Sequence, residues 1–330
     1  ACLMRLNQEG SLFLLNYAEV SSVAADPVEK KPLFHFYPGS LCFSLGTWGC
    51  NFHCQHCQNW QISFGTPEHV DRYSQHLPPE QAVSLAQRHG CRGISWTYNE
   101  PTIWFEYTLD CARVAKEQGL YTVYVTNGYV TPEALDTIGP YLDAFRVDIK
   151  GFSDELYVRL AKIKRWREVL ASAVRAQERW GMHVEVITNL IPTMNDDPDQ
   201  LTALATWIRD HLGPDTPWHV TRFYPQHHMQ HLPPTPIEAL ERAYNIGKQV
   251  GLHFVYVGNV PAHPGENTHC YSCGQLAVRR VGYNTDVVGL TPDLSGRCAH
   301  CGTDLNFKTT AWRRAIPSQA ASLRYAQGKL

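Results

Sequence analysis

The sequence contains no long apolar segment, no excess of charge of either sign and no low-complexity tract. No run approaches the roughly 18 uncharged apolar residues that a membrane-spanning helix requires, so a span is excluded. The 29 basic and 31 acidic side chains give a net charge of −2, which provides no basic field for nucleic acid or an anionic membrane. The first residues lack the basic and apolar regions of a signal peptide, and Ala1 stands where an initiator Met is usual. We therefore expect a cytoplasmic protein whose start is trimmed or incomplete.

Cysteine, by contrast, is abundant and clustered. Seven of the eleven cysteines stand in two groups, and a chain of 330 residues with 44% hydrophobic side chains can bury a core without disulfides. The first group is Cys50, Cys54 and Cys57, and the second is Cys270, Cys273, Cys298 and Cys301. Clusters of this kind indicate metal ligation in a reducing compartment.

From Leu41 onwards, short β-prone runs alternate with longer helical segments, which predicts an α/β fold with a parallel sheet. The alternation fits an open doubly wound sheet as well as a full or partial barrel, and in both folds ligands gather at the carboxyl ends of the strands. The predicted strands are 41–47, 93–98, 121–126, 143–149, 183–191, 217–223 and 253–259. The predicted helices are 79–89, 102–118, 131–138, 153–180, 197–212 and 236–250. The alternation ends near residue 262, so we expect an extension over 1–40, a core domain over 41–262 and a small domain over 263–330.

The first cysteine group forms a C-x3-C-x2-C loop directly after the first predicted strand of the core. Three thiolates within eight residues can surround one metal centre, and thiolates are the ligands of iron–sulfur clusters. A cluster of four irons held by three cysteines keeps one iron without a protein ligand. A zinc site that also uses His53 or His56 is the alternative on spacing alone.

This loop resembles the signature of the radical S-adenosylmethionine (SAM) superfamily. The resemblance implies a partial (β/α)6 barrel and a [4Fe–4S] cluster whose open iron binds the amino and carboxylate groups of SAM. In that family an electron from the cluster cleaves SAM to methionine and a 5′-deoxyadenosyl radical. The family usually carries an aromatic residue before the third cysteine, near the adenine, and this chain has His56 there.

Further resemblances follow later strands. Asn99 and Glu100 occupy the places of a Gly-Gly-Glu-Pro motif that receives the SAM amino group, although both glycines are replaced. Asp148 and Lys150 match an Asp-x-Lys motif of glycyl-radical-activating enzymes, in which the lysine pairs with the SAM carboxylate. Four other residues at strand ends are expected to contact SAM or substrate: Thr126, Asn127, His219 and Arg222. No side chain is expected to be catalytic, since the resemblance assigns the chemistry to the cluster-bound SAM.

Several stretches also resemble a narrower group, the AmmeMemoRadiSam family, which is similar to the pyruvate formate-lyase activating enzymes. They include 26–35, Gly49–Phe52, Cys57–Ser63, the Tyr-Asn-Glu-Pro-Thr run and Pro233–Pro236. The family is named for its gene association with AMMECR-type and Memo-type proteins, so the resemblance implies these as partners. It also implies a low-potential ferredoxin- or flavodoxin-type electron donor.

The second cysteine group consists of two C-x2-C knuckles, each followed by a glycine, Gly274 or Gly302, where a tight turn requires one. Four thiolates without an open position describe a structural zinc site in a zinc-ribbon-like domain. An auxiliary [4Fe–4S] cluster uses the same four ligands and is the alternative.

These patterns predict a radical SAM enzyme that abstracts hydrogen from a substrate that the sequence does not identify. The substrate is either a small molecule or, as in the activating enzymes, a glycyl residue of a partner protein. A hypothesis from another class is a non-catalytic metal-binding scaffold in a complex with AMMECR- and Memo-type proteins.

Overall fold

A computed structural model describes residues 2–293 and 295–309. Its strands are β1 (Arg5–Gln8), β2 (Ser11–Leu14), β3 (Glu19–Val20), β4 (Ser22–Pro27), β5 (Leu41–Gly46), β6 (Gln75–His76), β7 (Gly93–Trp96), β8 (Tyr121–Thr126), β9 (Ala144–Asp148), β10 (His183–Leu190), β11 (Trp218–Arg222), β12 (Val255–Gly258), β13 (Thr268–His269), β14 (Leu276–Val281) and β15 (Asn284–Val287). Its α-helices are α1 (Trp60–Ser63), α2 (Pro67–Tyr73), α3 (Pro79–Arg88), α4 (Phe105–Glu117), α5 (Pro132–Ile138), α6 (Asp154–Leu160), α7 (Arg167–Trp180), α8 (Pro198–His211) and α9 (Ile237–Val250). Within these residues, no helix is long and apolar enough to cross a membrane.

The central sheet has eight strands in the order β12-β11-β10-β9-β8-β7-β5-β4. All neighbouring pairs from β5 to β12 are parallel, and β4 joins β5 antiparallel at one edge. The strand order follows the chain without reversal, so the right-handed crossovers all run in one direction, as in a barrel and unlike a doubly wound sheet. The described residues show no pairing between β12 and β4, so the barrel is partial. This confirms the predicted fold class, and each of the seven predicted strands is present.

The predicted helix over 153–180 is wrong in one respect, because the structure divides it into α6 and α7. The helix ends at Leu160, and Lys162 adopts a positive φ of 62°. The break frees the carbonyl groups of Leu160 and Ala161, which accept hydrogen bonds from the Gln55 and His53 amides at 3.0 and 3.3 Å. The backbone of the cysteine loop therefore rests on the carboxyl end of α6, which is a long-range requirement that local periodicity cannot reveal.

The extension and the C-terminal module both pack against the open side of the barrel. Phe34, from the extension, shares a buried cluster with Phe254 and Tyr256 of the barrel and with Cys270 and Cys298 of the module. The module itself is a three-stranded antiparallel sheet in the order β13-β14-β15. The domain boundaries at 40 and 262 stay a prediction, and residues 310–330 of the predicted tail lie outside the described residues.

Two buried charged side chains, Glu185 and Arg280, hold the extension between the barrel and the module. Glu185, on β10, accepts the backbone amides of Phe34 and His35 at 3.0 and 2.8 Å. Arg280, on β14, donates to the Phe34 carbonyl at 2.7 Å from the opposite side and also to the Glu266 carbonyl at 3.0 Å. The guanidinium also lies 4.1 Å from the centre of the Phe34 ring. The extension is thus held between the barrel and the module.

Replacing Arg280 with Met is expected to destabilise the protein by about 3 kcal/mol. The substitution leaves the buried carbonyl groups of Phe34 and Glu266 without a donor and removes the cation that neighbouring carboxylates share. Arg279→Met is the matched control, since Arg279 is exposed on the same strand and its loss is expected to cost about 0.5 kcal/mol or less. Urea unfolding followed by tryptophan fluorescence measures both values. Equal stabilities of the two variants would contradict the role assigned to Arg280.

Candidate metal and cofactor site

The cysteine loop begins at Gly49, directly after β5, in a conformation that only glycine adopts readily. Its φ is +87°, and a Cβ atom there would lie 2.7 Å from the Cys2 carbonyl oxygen. The Asn99 side chain holds both ends of this turn, accepting from the Thr47 amide at 3.1 Å and donating to the Gly49 carbonyl at 2.7 Å. Asn99 also lines the cavity beside the cysteines, and its expected contact with a SAM amino group stays a prediction.

The thiols of Cys50, Cys54 and Cys57 line one cavity of about 440 Å³. Burial raises the pKa of the Cys50 thiol, and the neighbouring thiols of Cys54 and Cys57 raise it further. Burial likewise raises the pKa of Cys54 to about 11. Three converging thiolates are therefore unfavourable unless a cationic centre neutralises them, which fits the donor set of an iron–sulfur cluster.

Lys150 projects a cation into the same cavity beside the cysteines. Burial alone would lower the pKa of its ammonium group, but the charges of Asp148 and Cys54 outweigh burial and raise it. Asp148 is itself paired with Arg146 at 2.8 Å. Among the described residues the Lys150 ammonium group has no hydrogen-bond partner, while its backbone amide donates to the Tyr157 hydroxyl at 3.0 Å. An open ammonium group on a fixed backbone suits a ligand carboxylate.

Glu100 connects the ends of β7 and β8. Its carboxylate accepts from the Thr102 amide at 3.0 Å, from the Thr102 hydroxyl, from the Thr126 hydroxyl at 2.8 Å and from the Asn127 amide at 2.7 Å. A carboxylate offers about four lone-pair positions, so these donors saturate it. Glu100 and Thr126 therefore join the two strand ends, and contact of either residue with SAM or substrate stays a prediction.

Asn127 connects this arrangement to the cysteines. Its side-chain nitrogen, Nδ2, donates to the Asn51 side-chain oxygen at 2.7 Å and lies 3.9 Å from the Cys50 sulfur. Asn51 in turn donates to the Tyr129 carbonyl at 3.0 Å. Glu100 thus influences the first cysteine through Asn127.

The remaining predicted residues differ in position. His56 is buried in the cavity wall, and burial lowers the pKa of its imidazole to about 3, so the ring is neutral and can contact a flat base. His219 also lines the cavity and is bonded to Glu185 at 2.7 Å. Arg222 does not line it. Its guanidinium donates to the Thr235 carbonyl at 2.8 Å and lies 5.3 Å from the Tyr224 ring centre, and its contact with a ligand stays a prediction.

The sequence reasoning missed Glu185, Arg146 and Tyr98. Glu185 stands between two valines in β10, and Arg146 and Asp148 stand on either side of Val147 in β9. Polar residues at alternate positions of a strand point to the same face, and this was the signal of an inward-facing row. Tyr98 replaces a family glycine and has a φ of +73°. Its hydroxyl donates to Asp26 at 3.0 Å, which anchors the strained residue to the extension.

The second cysteine group forms a compact site outside the barrel. The four sulfur atoms of Cys270, Cys273, Cys298 and Cys301 all lie within 4.8 Å of one another. Cys270 and Cys301 are 3.6 Å apart, and Cys273 and Cys298 are 3.7 Å apart. This is the spacing at which four thiolates can share one metal ion.

Comparisons with known proteins agree with this geometry. Residues 46–205 match the Radical SAM superfamily. The chain is 41% identical over 306 residues to the uncharacterized protein MJ0808 of Methanocaldococcus jannaschii, covering 93% of this chain and 90% of that protein.

More distant similarities extend the same pattern. The pyruvate formate-lyase-activating enzyme of Clostridium pasteurianum is 27% identical over 169 residues, which is 49% of this chain and 67% of that enzyme. The crystal structure of a radical SAM methyltransferase from Sphaerobacter thermophilus superposes with a TM-score of 0.54 at 19% identity, over 73% of this chain and 71% of that chain. This last likeness concerns the fold alone.

Proposed function

Because the chain belongs to the radical SAM superfamily, we propose that it cleaves SAM reductively and abstracts hydrogen from a substrate. One observation carries the proposal. The three thiols of the C-x3-C-x2-C loop and the open ammonium group of Lys150 face the same cavity. Such a cavity offers ligands for a cluster and a partner for the SAM carboxylate side by side.

We assign Cys50, Cys54 and Cys57 to a [4Fe–4S] cluster, which when bound supplies the electron that cleaves SAM to methionine and a 5′-deoxyadenosyl radical. Lys150 pairs with the SAM carboxylate, and Asp148 keeps the lysine charged and oriented. The neutral His56 ring contacts the adenine. Glu100 acts as a positioning residue by holding Asn127 against Cys50.

A second candidate is the modification of a glycyl residue in a partner protein. The similarity to an activating enzyme from Clostridium pasteurianum favours it. Both candidates require SAM cleavage, and a low-potential ferredoxin- or flavodoxin-type protein is the proposed electron donor for either. AMMECR-type and Memo-type partners stay a prediction. Deuterium labelling distinguishes the two candidates. Transfer of deuterium into 5′-deoxyadenosine from a labelled small molecule supports the first, and transfer from a labelled glycine residue of a partner protein supports the second.

For the second cysteine group we propose zinc. The four sulfurs close around one position and leave no open coordination site, as in structural zinc centres. The module packs on Phe34 and Tyr256, so this metal stabilises one wall of the cavity and takes no part in chemistry.

Changing Cys50, Cys54 and Cys57 together to Ala is expected to remove the cluster. These three are the only cysteines among the described residues that line the cavity. Iron analysis and visible absorption after anaerobic reconstitution measure the loss. The control is Cys111→Ala, which changes a cysteine buried in the core. Four irons retained by the triple variant at this site would refute the assignment.

Lys150→Ala is expected to weaken SAM binding roughly 10- to 150-fold, which corresponds to the loss of one charge-assisted hydrogen bond of about 1.5–3 kcal/mol. Iron content should stay at the parent value, because Lys150 is not a ligand. Lys164→Ala, which removes an exposed lysine, is the control. Equilibrium binding of SAM to the reconstituted proteins measures the effect, and an unchanged affinity in Lys150→Ala would count against the proposed carboxylate contact.

Elemental analysis of the reconstituted protein is expected to give about one zinc per chain. Cys298→Ser should lower that value and leave the iron of the first cysteine group in place, because the two groups are separate. About eight irons and no zinc would instead identify the second group as an auxiliary cluster.

A further inference from the structure

The cavity extends beyond the cysteine loop to a second end with a different character. This end lies between the extension and the C-terminal module. Its lining includes Glu29 and Lys30 of the extension, Glu266 of the segment after β12, and the hairpin turn of Gly282 and Tyr283. Tyr283 is more than half exposed, so the hairpin turn stands at the mouth. None of these residues takes part in the proposed cluster or SAM contacts.

The two glutamates at this end are poorly satisfied. The Glu266 side chain is 9% exposed, and its Oε2 atom is buried without a hydrogen-bond partner in the described residues. Glu29 is 3% exposed; its Oε1 atom accepts from the Gly39 amide at 2.6 Å, and its Oε2 atom is buried without a hydrogen-bond partner in the described residues. Buried carboxylate oxygens without donors are costly, and a ligand that donates to them removes that cost.

The local charges do not balance. Arg280 is the cation that acts on both Glu29 and Glu266, and it also acts on Glu185. The other cations nearby are engaged elsewhere, since Lys30 and Lys31 both pair with Asp26 at 2.8 and 2.9 Å. Glu185 is also hydrogen-bonded to His183 and His219, whereas Glu29 and Glu266 have Arg280 as their cation among the described residues. Burial raises the pKa of Glu266 to about 7 and also raises the pKa of Glu29, although Arg280 opposes both shifts, so a further cation beside these carboxyl groups would favour their charged forms.

We propose that this end of the cavity binds the ammonium group of a small molecule, held by the carboxylates of Glu29 and Glu266. An ammonium group supplies both the missing charge and several N–H donors. Two carboxylates provide few of the roughly six to eight oxygen ligands that Ca²⁺ takes. The shared cavity of about 440 Å³ is within the roughly 300–1,000 Å³ range of small-molecule sites. The inference rests on the proposed function in that the ammonium-bearing molecule is the substrate of the SAM-dependent reaction.

The position of this end also explains why a small molecule is the better occupant than a protein segment. The open side of the barrel is covered by Phe34 and His35, which Glu185 and Arg280 hold in place. The module is further joined to the extension by a bond of 2.7 Å from the Lys308 amide to the His35 carbonyl. Entry past these contacts requires the extension to separate from the module, whereas a small molecule can enter beside Tyr283.

Calorimetric titration of the reconstituted, metal-loaded protein with 1,4-diaminobutane tests the inference. The uncharged 1,4-butanediol and the anionic succinate, which have the same four-carbon length, are the comparison compounds. We expect saturable binding of the diamine and none of the other two. Equal heats for the diamine and the diol would overturn the inference.

Two variants locate the binding. Glu266→Gln is expected to weaken diamine binding at least tenfold, and its fold should be retained because the Glu266 carboxylate makes no hydrogen bond to the described chain. Glu29→Gln provides a second test, since the amide oxygen can still accept from Gly39. Glu117→Gln, which removes an exposed charge at the end of α4, is the matched control and should bind like the parent. Parent-like binding by both cavity variants would refute the site.

The diamine titration does not depend on SAM cleavage. Diamine binding without 5′-deoxyadenosine formation would count against the proposed function alone. SAM cleavage without diamine binding would count against this inference alone.

Discussion

The cavity of this protein depends on how the open side of its partial barrel is closed. A barrel of parallel strands that ends at β12 and β4 leaves two edges and a polar interior facing solvent. Glu185 and Arg280 solve this problem by holding the backbone of Phe34 and His35 from opposite sides. Burial of Glu185 opposes its charge, but bonds from His183 and His219 lower its pKa, so it stays ionised. Each ion is buried because backbone groups and neighbouring side chains satisfy it, and removal of either would expose unpaired groups on the other elements.

The polar and charged groups inside the barrel differ from one end of the cavity to the other. At one end the cysteine loop rests on the carboxyl end of α6 and is held by Asn99, which fixes where the three thiols point. In the middle, Arg146, Asp148 and Lys150 alternate along one strand end. Arg146 pairs with Asp148, and the Lys150 ammonium group has no hydrogen-bond partner within the part of the chain that the structure describes. At the far end, Glu29 and Glu266 are buried carboxyl groups whose cation among the described residues is Arg280. A ligand or pair of ligands with a carboxylate near one end and an ammonium group near the other is complementary to this arrangement.

Much of this could be predicted from the sequence, and the reasons for success and failure differ by residue. The cysteine spacings and the strand alternation are local patterns, and they located both cysteine groups and all seven strands of the core. The division of helix 153–180 depends on hydrogen bonds from a loop about a hundred residues earlier, so periodicity could not reveal it. Glu100 and Asn99 were identified as site residues, but their protein partners are set by the approach of neighbouring strand ends, which the sequence does not show; their contacts with SAM stay a prediction. Arg222 ends its strand, and its hydrogen bond to the Thr235 carbonyl depends on a contact 13 residues away that the sequence does not show.

The central claim is that the cavity beside the C-x3-C-x2-C loop carries out reductive cleavage of SAM. The most direct measurement is the amount of 5′-deoxyadenosine formed when the anaerobically reconstituted protein is mixed with SAM and dithionite. The account predicts at least one 5′-deoxyadenosine per chain, dependent on the cluster iron. A fully reconstituted protein that binds SAM and forms no 5′-deoxyadenosine under these conditions would contradict it.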